Sequence, residues 1–320
     1  MRRSIIFLLT FLLMLTFVAC SQEETDDSSI ADVSDVATKE STTSEEESMT
    51  EPEKKTYNIL FVGNSYTYYS DMPEKIFDPI AKSANVDFKV SSLTRGGWYL
   101  IDTANPEDEL GKLVDAALKN NKYDYVVLQE QSTCPAQFPG KFYDGVRKLV
   151  EKIKENGATP ILYSTWGRKT GSATLPNLGW THESMTWKIG AAYEAIADEL
   201  DIEVAHVGFA FHDVYTNYPN LTDIYADDLT HPSYSGSYLA ALTIFTEITK
   251  IDPDEVKYNG SLTGNITSVL KEAARKAVFE TPSIPDEYKT ASRFAIINCR
   301  LDGNKTPTDT ADGVCSDTVK

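Results

Sequence analysis

Ser65 stands in the stretch VGNSYT, directly after the apolar run Ile59–Val62 and a break at Gly63. A serine hydroxyl is a weak nucleophile at its own pKa and attacks an acyl carbon only when a neighbouring base takes its proton. Four histidines could serve as that base: His182, His206, His212 and His231. His231 lies in DDLTHPS, three residues after Asp228. At that spacing a turn can lay the carboxylate on one imidazole nitrogen and leave the other free for a serine proton. The chemistry these residue types support together is acyl transfer. Each also has a plain structural reading: Ser65 as a helix cap, Asp228 and His231 as a surface turn pair, and Gly96–Gly97 as a tight turn. Joint occurrence, in order and on one rim of the fold, favours the chemical reading.

That rim follows from the order of elements. From Tyr57 onward, short apolar runs alternate with amphipathic stretches. The runs at 57–62, 86–93, 123–129, 159–165 and 202–207 read as strands, bounded by turn residues. Helices are expected over 72–84, 106–120 (with Leu110, Leu113 and Leu118 at helical spacing), 140–157, 182–200, 235–250 and 261–279. Regular alternation of this kind argues a parallel sheet with helices on both faces. Ligands then gather outside the carboxyl ends of the strands. Ser65 follows the first strand, and His231 precedes the last long helix on the same rim. His206 is expected within the fifth strand as a core or rim residue, His182 at a helix start, and His212–Asp213 on a helix surface. Beyond Glu280 the pattern gives way to a Pro-, Thr- and Asp-rich tail.

Four blocks, VGNSYT, RGGWYL, VVLQEQS and DDLTHPS, occur in the order and spacing of the SGNH hydrolases, also called GDSL-type esterases, and the chain from about Tyr57 to Lys250 resembles that family. The resemblance implies a flavodoxin-like three-layer α/β/α domain around a central parallel five-stranded sheet. It also implies a catalytic set of Ser65 as nucleophile, His231 as general base and acid, and Asp228 as its orienting carboxylate. The oxyanion hole would take N–H groups from Ser65 and from Gly97, or alternatively Gly96. Asn64 stands where many members carry aspartate, and its side chain would brace the turn. The third block departs from the family: the usual G-x-N-D is absent and LQEQST replaces it. Gln131 is the foremost substitute donor there, with Gln129 and Thr133 as alternatives. Trp98, Trp166, Trp180, Tyr66, Tyr68 and Tyr69 fall near the rim loops, as packing or as stacking platforms for sugars.

The bulk of the chain bounds the setting. It has 320 residues and a net charge of −18. Arg2 and Arg3 precede an apolar stretch, Ile5–Ala19, too short for a membrane span and shaped as an export signal. FVAC resembles the lipobox of bacterial lipoproteins, which implies lipidation at Cys20. Residues 21–55 hold twelve acids against three lysines, a net of −9, with no aromatic residue. Such a segment cannot bury enough apolar area to order itself and is expected to be a tether. The domain proper is expected over 56–285 and a polar tail over 286–320, where Cys299 and Cys315 could pair. No basic patch supports nucleic-acid binding, no C-x-x-C or H-E-x-x-H supports a redox or metal site, and the implied chemistry needs no cofactor. The expectation is a lipid-anchored, extracytoplasmic serine esterase acting on ester, foremost O-acetyl carbohydrate, bonds, touching the membrane through its anchor alone. The alternatives are a non-catalytic surface binding lipoprotein on the same scaffold and a lipase or thioesterase on acyl lipids.

Overall fold

Five apolar runs assemble into one parallel sheet in the computed structural model, which describes residues 55–298. The export segment, the tether, Cys20, Cys299 and Cys315 lie outside the described residues. Strand β1 (Thr56–Gly63) leads into a single turn, α1 (Ser65–Tyr68), and then through a π-helical turn at Pro73–Phe77 into α2 (Asp78–Ser83). β2 (Asp87–Thr94) is followed by α3 (Leu100–Thr103) and α4 (Glu109–Asn120). β3 (Tyr125–Gln129) is followed by α5 (Cys134–Gln137) and α6 (Pro139–Asn156). β4 (Thr159–Tyr163) is followed by α7 (Thr174–Asn177) and α8 (His182–Leu200). After β5 (Glu203–Ala205) come α9 (Val207–Asn217), α10 (Tyr234–Thr249), α11 (Gly264–Phe279) and α12 (Asp286–Asn298).

The strand order is β2-β1-β3-β4-β5, with every neighbouring pair parallel. This is the flavodoxin-like order, and the chain reverses its direction of travel across the sheet between β1 and β3. The central strands β1, β3 and β4 carry nearly continuous buried apolar runs because both of their faces are covered, whereas the edge strand β2 is mixed in polarity and buries only Phe88. Ile59, Phe61, Val127, Ile161 and Tyr163 point into one core with α2, α9, α10 and α11. Leu60, Val62, Val126, Leu128 and Leu162 point into the other, against α4, α6 and α8. Local signals set the helix ends. Thr181 and Ser184 form a reciprocal capping box at the start of α8, and Gly157 closes α6 at φ 89°, a left-handed conformation that favours glycine.

Three expectations are corrected. The fifth strand stops at Ala205, and Val207 already opens α9, so His206 sits at a helix N-cap and not in a strand. The boundary at 285 falls too early: Asp286–Asn298 is a helix lying on α6 and α8, with Ala295 and Ile296 buried. Tyr143 donates to the Ser292 carbonyl there, at 3.5 Å. On α4, Leu113 is exposed and Val114 takes the core position beside Leu110 and Leu118.

Candidate active site

Ser65 is the first residue of α1, so its N–H has no carbonyl to reach within the helix. Asn64 is the cap. Its side-chain oxygen accepts from Tyr66 N–H at 3.2 Å, and its amide nitrogen donates to the Trp98 carbonyl at 3.1 Å. The Ser65 hydroxyl lies 2.8 Å from His231 Nε2, across 166 residues of sequence. On the other side of the ring, His231 Nδ1 meets Asp228 Oδ2 in a short hydrogen bond. Because Nδ1 faces a carboxylate it carries the ring proton, which leaves Nε2 to accept from the serine. Asp228 Oδ1 also accepts from Thr230 and His231 N–H, each at 2.9 Å. Burial alone would raise the Asp228 carboxyl, but the bonds from the His231 ring and from these two amides hold it below the usual carboxylate range.

The loop bearing the imidazole is fixed at several points. Leu229 adopts a left-handed φ of 62°, a conformation that costs a branched residue energy and persists where its surroundings dictate it. Here Leu229 N–H donates to the Ala226 carbonyl at 3.0 Å, and its own carbonyl accepts from Lys169 N–H at 3.0 Å. Trp166 Nε1 donates to the Thr230 carbonyl at 3.1 Å. Tyr69 stacks on the imidazole at 4.3 Å between centroids, and Tyr66 meets it edge-on at 5.5 Å.

Ser65, His231, Gly96, Gly97, Gln131 and Asn64 line one open cavity of about 390 Å³, and Asp228 reaches it through His231. Gly97 has φ 74°, and a methyl group at Gly96 would come within 3.0 Å of the Tyr68 hydroxyl, so both glycines serve the turn as well as the approach to the cavity. The Gln131 side-chain oxygen accepts from Thr133 N–H at 2.9 Å and Cys134 N–H at 3.1 Å, starting α5. Its NH₂ group is therefore the end left for the cavity. The two alternatives are corrected. Gln129 is buried beneath the serine turn, where its oxygen accepts from Asn64 N–H and the Thr67 hydroxyl, both at 2.9 Å, and its nitrogen donates to Asn64 Oδ1 at 3.0 Å. Thr133 is buried too, its hydroxyl donating to Gln131 at 3.1 Å.

Two residues of the site escape sequence reasoning. Glu130 is fully buried, and its carboxyl accepts from Gln131 N–H at 2.6 Å and Leu100 N–H at 3.2 Å. It thereby ties the third block to the second, as Gln129 ties the third to the first. Burial pushes it up to about 8, against the pull of those two N–H groups. Its place directly after a buried strand is the one signal in the sequence that could have found it. Arg168 lines the same cavity from the β4–α8 connection, and no motif announces it. Of the rim aromatics, Tyr66, Tyr68 and Tyr69 line the cavity; Trp166 is buried, stacked between Tyr66 and Phe211 at 4.4 and 3.9 Å.

The other histidines lie elsewhere. His182, the first residue of α8, is buried and hydrogen-bonded to His212 at 3.1 Å; burial, then His212, lowers it to about 4. His212 is thus a partner within a pair and not a plain surface residue. Burial lowers His206 to about 4 as well. Among the described residues, no group of three or more His, Cys, Asp or Glu could hold a metal, and no helix is long and apolar enough to cross a membrane.

No family model matches the chain, and no curated protein matches it in sequence. Among solved structures, it is similar to a protein from Slackia heliotrinireducens described as an SGNH hydrolase: 34% identity, a TM-score of 0.54, with 61% of this chain and 100% of that chain covered. A DUF4886 family protein from Bacteroides uniformis shares the fold at a TM-score of 0.63 and 19% identity, covering 73% of this chain and 99% of its own.

Proposed function

The chain belongs to the SGNH hydrolases, and from that membership we propose that it is a serine esterase in which Ser65, His231 and Asp228 do the chemistry. The observation that carries this reading is the 2.8 Å contact between the Ser65 hydroxyl and His231 Nε2, with Asp228 on the opposite ring nitrogen. As an ester carbon approaches, the serine proton passes to Nε2 while the Oγ–C bond forms. The resulting oxyanion is met by the N–H groups of Ser65 and Gly97 and by the Gln131 NH₂, donors that gain strength as charge develops. The C–O bond to the alcohol breaks, and the alcohol leaves with the proton held on Nε2. Water then gives a proton to His231, attacks the acyl carbon and releases the acid, restoring Ser65.

An open cavity lined by hydroxyls, amides and tyrosines suits a small acyl group on a hydrophilic alcohol, so O-acetyl carbohydrate is the substrate class we infer. The export segment and lipobox-like FVAC support placement at the outer surface through Cys20. Labelling of the purified domain by a fluorophosphonate tests the reading. The native protein should be modified at Ser65 and the Ser65→Ala variant should not. Labelling that survives in Ser65→Ala, or never occurs, would remove the catalytic assignment.

A further inference from the structure

Among the described arginines, Arg95, Arg147 and Arg275 each reach a carboxylate, and Arg293 is exposed to solvent. Arg168 is different. It lies half-buried in the wall of the Ser65 cavity, and its neighbours are hydroxyls. One terminal nitrogen donates to Ser132 Oγ at 3.0 Å and the other makes a short bond to Thr174 Oγ1. The Tyr66 hydroxyl sits in its field as a neutral phenol, raised to about 12 by burial despite the nearby cation. Nε is buried with no partner. Among the described residues no carboxylate forms an ion pair with this guanidinium. Asp228, the nearby acid, is committed to His231.

A half-buried charge facing only neutral dipoles is costly unless something else compensates it. The bonds to Ser132 and Thr174, with the Tyr66 hydroxyl also within reach, still leave guanidinium N–H groups unused, Nε among them. The position is pre-organised. The Arg168 carbonyl accepts from His182 Nδ1 at 3.2 Å, Lys169 N–H holds the Leu229 carbonyl at 3.0 Å, and Ser132, in the β3–α5 connection, and Thr174, at the start of α7, pin the head group from two sides. A planar fork held in this way suits a carboxylate far better than a neutral group.

We propose that Arg168 is a specificity-determining residue, binding a carboxylate carried on the alcohol side of the substrate, so that the ester cleaved is an O-acyl group on an acidic sugar unit. The inference rests on the esterase reading of Ser65 and adds the charge of the substrate to it. The anion docks in the cavity while its acyl carbon faces Ser65. The guanidinium takes no part in bond making or breaking.

The test compares acetate release from a mono-O-acetylated methyl glucuronoside and from its uncharged glucuronamide counterpart. The native protein is expected to prefer the carboxylate by tenfold or more in kcat/KM, mostly through KM. Arg168→Gln should bring that ratio within twofold, and Arg168→Lys should restore part of it. Equal rates on both substrates with the native protein, or a preference that survives in Arg168→Gln, would overturn the proposal while leaving the esterase intact. A second arm is independent of turnover: calorimetric binding of unacetylated methyl glucuronoside and its amide to Ser65→Ala, with and without Arg168→Gln. Charge-selective binding that depends on Arg168, with no acetate released by the native protein, would uphold the anion site and overturn the esterase reading.

Discussion

Replacing Gln129 with methionine keeps the unbranched shape and much of the volume of the side chain and deletes its amide. Four hydrogen bonds are lost: those with Asn64 N–H and the Thr67 hydroxyl at 2.9 Å, with the Glu130 carbonyl in a short contact, and with Asn64 Oδ1 at 3.0 Å, which alone keeps another donor, Tyr66 N–H. All lie in buried surroundings, where water cannot replace the lost bonds without opening the turn. Each unsatisfied buried group costs about 1–3 kcal/mol, and because the three left unpaired share one turn and can relax together, the expected total is about 3–5 kcal/mol. For a domain of this size that corresponds to a fall in melting temperature of roughly 10 °C. Function should fall further than folding. Asn64 directly precedes Ser65 and joins the first block to Trp98, so its release shifts Ser65, the proposed nucleophile, and a misplacement near 1 Å can cost about 10²-fold. The assay pairs thermal unfolding with hydrolysis of 4-nitrophenyl acetate at a temperature where the variant is folded. A Gln129→Met protein with native melting temperature and native kcat would refute the claim that this buried amide holds the nucleophile turn.

Asp228→Asn retains an oxygen for the Thr230 and His231 N–H groups but offers His231 Nδ1 an amide, which no longer fixes the imidazole tautomer. It should lose about 10²-fold or more in kcat with little change in melting temperature, whereas Asp228→Ala should lose as much in kcat and, with no oxygen left for those two N–H groups, also fall in melting temperature; near-native turnover in either would argue against the orienting role. Glu130 holds a proton in the fold up to about 8, whereas its unfolded value is near 4.5, so its contribution to stability is full below 4.5 and is lost as pH rises to about 8. Glu130→Gln removes that loss, and urea denaturation at pH 5 and pH 8 should show the variant gaining relative to native as pH rises; a gain in the opposite direction would mean the folded carboxyl is ionised. A methyl group at Gly145 would lie 2.5 Å from Ile101 N and 2.8 Å from the Leu100 carbonyl carbon, backbone atoms that cannot step aside. Gly145→Ala should therefore destabilise by about 1–3 kcal/mol and disturb the Leu100–Glu130 contact, read as a lower melting temperature together with a lower kcat.

The sheet was legible because its central strands, covered on both faces, appear as bare apolar runs, the first closed by Gly63 and the others bounded by turn residues. The residues that meet in the 2.8 Å contact were legible for another reason: few side chains can act as nucleophile or base, and only four histidines needed sorting. Where packing decided the outcome, the same reasoning lost its grip. α9 begins with VGFAF, apolar on nearly every side because one face meets the sheet layer and another meets α11, so no period separates it from the end of β5. Gly208 can be there because its missing side chain admits the Thr165 carbonyl, 2.1 Å from where a Cβ would sit, a contact with no trace in the local pattern. α12 is missed for the opposite reason: it is mostly polar, and the apolar side chains it buries are few. Gln129, Glu130 and Arg168 mark the sharpest limit. The first two reach partners 65 and 30 residues away, and Arg168 reaches Ser132 across 36. A polar residue after a strand reads as a loop until the fold supplies its partners, so residues that react can be found by type, and residues that hold them in place only by position.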